Sequence, residues 1–345
     1  MTVILKKRPV PLLALLWGFV AGGCYMLNTS PTPSPAGYHY IAGYYDGGTF
    51  YSGASPFAGE RITGMASDGA MVAAVGEDGS IAYSRDCVIW TKVEAASPAI
   101  SFSCLTWGEG VFFAGGGGGQ AAWSADGIHW NRGVIGPMNP DDIYGVAAGK
   151  LGEKSVFVAV GDKGRICYSS GGPQGKWSAA SLSPFGAVER VRAVTYGKSA
   201  RESGGFVAVG DGGKIAFAND LSGRWYGGRT GVSRPFYGVA FGSDRFTAVG
   251  EMGMVKFSSA PQTCNWTSGD GGIFSARSLL GITWDPRVKQ FVVYGDESVA
   301  GYSEYGEIWR AASFRELFPL GISAAACTES RIVLGGADGT IVYSN

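Results

Sequence analysis

Six tryptophans recur through the chain at near-constant intervals, and each closes a copy of one short phrase. The phrases run Tyr83-Ser84-Arg85-Asp86-Cys87-Val88-Ile89-Trp90, Trp123 to Trp130, Tyr168 to Trp177, Phe217 to Trp225, Phe257 to Trp266 and Tyr302 to Trp309. Successive tryptophans stand 40, 47, 48, 41 and 43 residues apart, the period of one four-stranded unit in a radial β array.

Laid over one another, the copies share a fixed grammar. The first strand is a small residue, an aliphatic, then Ala or Thr, as in Gly64-Met65-Ala66, Cys104-Leu105-Thr106, Gly145-Val146-Ala147 and Gly281-Ile282-Thr283; seven copies occur, the last at Ala324-Ala325-Ala326. Small side chains suit strands that crowd the centre of a ring. The second strand is a near-continuous apolar run such as Val156-Phe157-Val158-Ala159-Val160-Gly161, the mark of a strand buried on both faces. A turn follows, often Gly-acid-x-Gly, as in Gly161-Asp162-Lys163-Gly164. The third strand ends at the Tyr/Phe-Ser pair, and the tryptophan phrase turns into the fourth. The high glycine content (57 of 345 residues), well above the usual share of roughly 7%, fits many tight turns that need positive φ.

The expected fold is therefore all-β, a seven-bladed propeller over 40–345. Its last copy stops at Tyr343-Ser344-Asn345, where the tryptophan strand should begin, while Tyr40 to Ser52 is an orphan fragment with no first strand. The economical closure has this N-terminal fragment supply the missing outer strand of the last blade, leaving no open sheet edge.

The tryptophan phrase resembles the Asp-box, or bacterial neuraminidase repeat, of sialidase-like and photosystem-II-assembly-factor-like propellers. The resemblance assigns a scaffold role to Ser84, Asp86, Trp90, Ser124, Asp126, Trp130, Trp177, Trp225, Trp266 and Trp309. In the fullest copy, Ser124 and Asp126 are expected to hydrogen-bond the turn backbone, Gly127 to supply the permissive dihedral, and Trp130 to pack beneath the next sheet.

Residues 1–24 read as an export signal: Lys6-Lys7-Arg8 form the positive region, and Pro11 to Ala21 form an apolar run too short to span a bilayer. Ala21-Gly22-Gly23-Cys24 resembles a bacterial lipoprotein signal, which implies acylation of Cys24, palmitate included, and membrane attachment through the N-terminal lipid. Ala21 departs from the Leu, Val or Ile usual there; the competing reading is an ordinary secretory signal with an incidental Cys. Residues 25–39 are Pro/Ser/Thr-rich, as an extended tether would be.

Lys+Arg and Asp+Glu balance at 28 each, leaving no basic surplus for a phosphate backbone and arguing against nucleic acid as a partner. Five cysteines remain after Cys24, with no CxxC; Cys87 and Cys104 flank one repeat junction and are a candidate pair. His39 and His129 are the only histidines, so neither a His-based metal site nor Ser/His catalysis is expected, and no cofactor. The Gly115–Gly119 run reads as a glycine-rich hairpin, not a phosphate loop. The catalytic signature of sialidases is absent: Arg61-Ile62 is followed by Thr63 instead of Pro.

The loops entering each first strand and the turns after each second strand should share one face. Arg61, Tyr144, Arg192, Arg234, Tyr237, Arg277 and Arg315 are expected around one mouth, interleaved with Glu77, Asp162, Asp211, Glu251 and Asp296, as a partner-binding face of residue types common at binding hot spots. The competing reading pairs these acids with the arginines as a neutral structural rim. The functional expectation is a non-enzymatic, monomeric, lipid-anchored envelope protein that binds an envelope or membrane protein. The alternative is a glycan-binding protein or glycosidase.

Overall fold

The computed structural model describes residues 40–41, 50–57, 59–93, 101–198, 204–220, 222–263, 265–274 and 276–344. The export signal, Cys24 and the tether lie outside these residues, as does Cys264.

Seven antiparallel sheets follow one another along the chain, six of four strands and one of five. Blade 1 covers 62–93, blade 2 102–134, blade 3 143–179, blade 4 191–227, blade 5 236–268 and blade 6 279–313. In each, the strands lie in sequence order from the axis outward. Blade 7 takes three strands from the C-terminal end, Ile322–Cys327, Ile332–Gly336 and Ile341–Ser344. Its fourth comes from the N-terminal side: Phe50–Gly53 pairs antiparallel with Ile341–Ser344, and Tyr40–Ile41 adds a fifth strand outside it. The chain is a seven-bladed β-propeller.

The second strands are buried along their length because both neighbours in the ring cover them; Val72–Gly76 and Gly205–Gly210 have no exposed residue. The first strands approach so closely that a Cβ on Gly64 would stand 2.6 Å from the Leu105 nitrogen, which accounts for the small residue opening each copy.

The tryptophans correct one expectation. Trp130 packs with Ala66, Met71 and Ala73 of blade 1, so it covers the preceding sheet instead of the next. Trp177 likewise joins blade 2, stacked on Phe113 at 5.7 Å, and Trp225, Trp266 and Trp309 join blades 3, 4 and 5. The reason lies in strand periodicity. Ala122 faces blade 1; Ser124, two residues on, shares its face, and Trp130 lies opposite Ser124, one step beyond the Trp123–Asn131 pair. The six indoles thus seal the six junctions from blades 7 and 1 to blades 5 and 6.

The turns holding them use side chains as anticipated. Ser124 Oγ donates to Asp126 Oδ1 at 3.0 Å and accepts from the Gly127 amide at 2.8 Å, Asp126 accepts the Ile128 and His129 amides, and Trp130 Nε1 donates to the Gly127 carbonyl at 2.9 Å. Ser84, Asp86 and Trp90 repeat this arrangement. Cys87 and Cys104 are free thiols and not a disulfide. Cys87 and Cys167 are buried packing residues, and burial pushes their thiols up to about 11 and about 12.

Candidate functional site

Every first strand carries a β-bulge at its second residue. Pairing with the second strand skips Thr63, Ser103, Tyr144, Arg192, Tyr237, Leu280 and Ser323, one in each blade. A bulge frees its residue from the ladder and re-aims the side chain. Here it directs seven side chains to the mouth of a central cavity of about 580 Å³. Two residues further along each strand, Met65, Leu105, Val146, Val194, Val239, Ile282 and Ala325 line the same cavity as an apolar girdle.

The turns expected on this face are there. The amides of Glu77, Asp162, Asp211, Glu251 and Asp296 each donate to the carbonyl of a residue leading into the first strand of their own blade, at 3.0–3.2 Å. Entry loops and turns are therefore held together at one end of the ring.

The mouth has two unlike sides. On blades 7, 1 and 2 its residues are small hydroxyls turned sideways into the ring wall. Ser323 Oγ donates to the Ile62 carbonyl at 2.7 Å, Thr63 Oγ1 to the Phe102 carbonyl at 2.8 Å, and Ser103 Oγ to the Ile143 carbonyl. Each staples its blade to the next. On blades 3, 4 and 5 the same position holds Tyr144, Arg192 and Tyr237, which form a locked belt. Tyr144 donates its hydroxyl to Asp162 Oδ1 at 3.1 Å. Arg190 lies over the Tyr144 ring, 5.6 Å from its centroid, with Nε 3.3 Å from the same Asp162 oxygen. Arg192 lies over the Tyr237 ring at 5.1 Å, and its Nε donates to Asp211 Oδ1 at 2.7 Å.

Burial, then Asp162, raises the Tyr144 phenol above its ordinary value; burial, then Glu251, does the same for Tyr237. Both phenols are thus protonated donors at neutral pH. The Tyr237 hydroxyl has no hydrogen-bond partner among the described residues, so the belt presents one unspent donor beside a guanidinium already oriented by its carboxylate.

Of the seven residues expected at the mouth, Tyr144, Arg192 and Tyr237 line the cavity. Arg61 pairs with Glu77 at 3.3 Å and Arg277 with Glu297 at 3.4 Å, both partly exposed pairs on the rim. Arg234 does not face the cavity; it lines a separate hollow beside blade 5. Arg315 is exposed on the loop between blades 6 and 7. The acid–arginine pairing weighed as a structural rim therefore holds for Arg61 and Arg192, while Arg277 pairs with Glu297, an acid outside that set. The seven-residue ring reduces to an arc of three of its members, Tyr144, Arg192 and Tyr237, with Arg190, absent from the expected set, as a fourth residue laid over Tyr144. The signal for the full mouth was present in the repeat: the residue just before each small-aliphatic-Ala/Thr triplet is the one the bulge exposes.

A glycosidase would need a carboxyl pair free to protonate and to attack. At the belt, Asp162 and Asp211 each take more than one donor. Among the described residues no three His, Cys, Asp or Glu side chains converge as metal ligands.

The ring is similar to solved structures of photosystem assembly and cell-cycle proteins. "YCF48 bound to D1 peptide" superposes with a TM-score of 0.66 at 16% identity, covering 87% of this chain and 96% of that one. "YCF48 from Cyanidioschyzon merolae" gives 0.64 at 15%, covering 86% and 98%. A chain of "Crystal Structure of Mitotic Checkpoint Complex" gives 0.66 at 10%, covering 93% and 98%. At these identities the likeness is one of fold. No protein-family model and no curated protein matches the chain.

Proposed function

We propose that this chain is a lipid-anchored protein of the bacterial cell envelope that binds a protein partner through the Tyr144–Arg192–Tyr237 side of its mouth and performs no catalysis. The anchor rests on the Cys24 signal. The binding role rests chiefly on the belt: two arginines are fixed over two tyrosines before any partner arrives, so little ordering cost falls on association. Arg and Tyr so placed beside an apolar girdle are the groups that carry binding energy at interfaces. The Ser/Asp-closed turns are assigned as Asp-boxes that maintain this scaffold. The structure of YCF48 bound to D1 peptide, similar in fold, agrees with such a use of a propeller.

The test is capture from envelope extract with the full-length protein as bait, beside Arg192→Gln and Tyr237→Ala. A protein retained by the unmodified bait and released by both variants is the expected result. Retention indifferent to both variants, or no retained protein, overturns the reading.

A further inference from the structure

Five junctions of the ring share one packing rule. A large apolar side chain from the loop entering a blade is buried over an uncharged, mostly small residue in the third strand of that blade. The plugs are Phe57, Met138, Phe185, Phe274 and Phe318, all buried. The residues beneath are Ala82, Cys167, Ala216, Gly301 and Val342, matched to one another by their pairing with the second strand.

The junction of blades 4 and 5 breaks both halves of the rule. Its loop residue is the smaller Val232, only half buried. Its equivalence to the other plugs is fixed by the turn glycine, since the Val232 backbone passes Gly213 as the Phe185 backbone passes Gly164 and the Phe274 backbone passes Gly253. The residue beneath it, opposite Ala248, is Lys256. Its position should hold an uncharged, mostly small residue; it holds a cation 8% exposed.

Lys256 Nζ donates to Ser268 Oγ at 2.8 Å, and no carboxylate among the described residues pairs with it. A buried charge is costly unless paired. Burial accordingly holds the ammonium below the ordinary lysine value. A hollow of about 470 Å³ lies beside the smaller plug, lined by Lys256, Ser268 and Arg234 together with Met252, Met254 and glycine-rich backbone. Arg234, at its edge, is exposed and has no ion-pair partner among the described residues.

We propose that this hollow is a binding site for an oxyanion, a carboxylate or phosphate group, with Lys256 at its floor and Arg234 at its rim. The anion supplies the countercharge that the protein withholds, and Ser268 orients the ammonium toward it. The site is separate from the mouth and stands without the proposed function.

The test is calorimetric titration of the full-length protein with sodium phosphate and, separately, sodium acetate, at constant ionic strength. Saturable binding of at least one anion is expected, abolished in Lys256→Met and weakened in Arg234→Gln. Binding of phosphate alone assigns a phosphate group; binding of acetate assigns a carboxylate. Arg234→Gln changes an exposed side chain and keeps the test valid should Lys256→Met fold poorly. Absence of saturable binding of both anions overturns the proposal, and so does affinity that neither variant alters.

Discussion

Phe50 lies directly opposite Ser344, in the register that Trp90 and Trp130 occupy against Ser84 and Ser124 one step beyond their own strand pairs. It is 1% exposed and packs with Val292, Ala300 and Tyr302 of blade 6 and edge-on against Phe314 at 4.9 Å. The N-terminal strand thus brings blade 7 its missing hydrogen bonds and also the aromatic plug for the one junction that no tryptophan reaches. Phe50→Ala is expected to destabilise the ring by about 3–5 kcal/mol, as Trp309→Ala should. Urea denaturation of the two variants checks the equivalence; an unmoved midpoint for Phe50→Ala would show that closure rests on the backbone alone.

A chain beginning at Ala54 lacks this strand and leaves Ile341–Ser344 as an open edge. It should lose its single cooperative transition and self-associate. Light scattering reads this directly, and a synthetic peptide of residues 40–53 should reverse it.

The hydroxyl staples make a graded prediction. Thr63→Val, Ser103→Ala and Ser323→Ala each remove a hydrogen bond from one blade to the next, and each should cost about 0.5–1.5 kcal/mol. Denaturant midpoints should fall with unchanged slopes; changed slopes would mean that the ring opens into intermediates.

The binding role proposed for Arg192 is separable from folding only in the right substitution. Arg192→Gln loses a half-exposed ion pair and a cation–π contact, and should shift stability by no more than about 1 kcal/mol. Arg192→Glu sets a carboxylate against Asp211, 2.7 Å from the present guanidinium nitrogen, and should melt measurably lower than the Gln variant. Equal melting temperatures would place the side chain outside the belt.

Acid stability is tied to Asp141, 6% exposed on the loop before blade 3. A hydrogen bond from Lys163, with Arg165 also close, holds its carboxyl below the ordinary aspartate value of about 3.8. A depressed folded value means that this contribution is complete above about pH 3.8 and is lost as pH falls through the folded value. Asp141→Asn should therefore destabilise at pH 7 and converge on the parent protein as pH falls through that window. A constant difference in melting temperature down to pH 2 would assign the effect to packing.

Much of this fold could be read from the chain because its signals repeat. Seven copies of small-aliphatic-Ala/Thr set the blade number, and the truncated phrase at Tyr343-Ser344 against the orphan Tyr51-Ser52 told how the ring closes. The direction in which Trp130 packs was not legible, because the phrase records that an indole is buried but not which neighbour covers it; that depends on the face Ser124 shares with Ala122. The mouth was half legible. Arg and Tyr in the entry loops were visible, but Arg234 and Arg192, so similar in their loops, are separated by the bulge that turns only the second residue of each first strand inward. Lys256 escaped notice because one polar residue in an alternating strand reads as an outward-facing position, and only its pairing opposite Ala248 puts it inside.

The seven bulges also divide the chain's obligations. Thr63, Ser103, Tyr144, Arg192, Tyr237, Leu280 and Ser323 stand outside the ladders that hold the blades together, so a change at one of the four larger positions leaves every strand pairing intact. The lining of the mouth is accordingly a short, separately editable text written around the axis, open to rewriting by a few substitutions without a new scaffold.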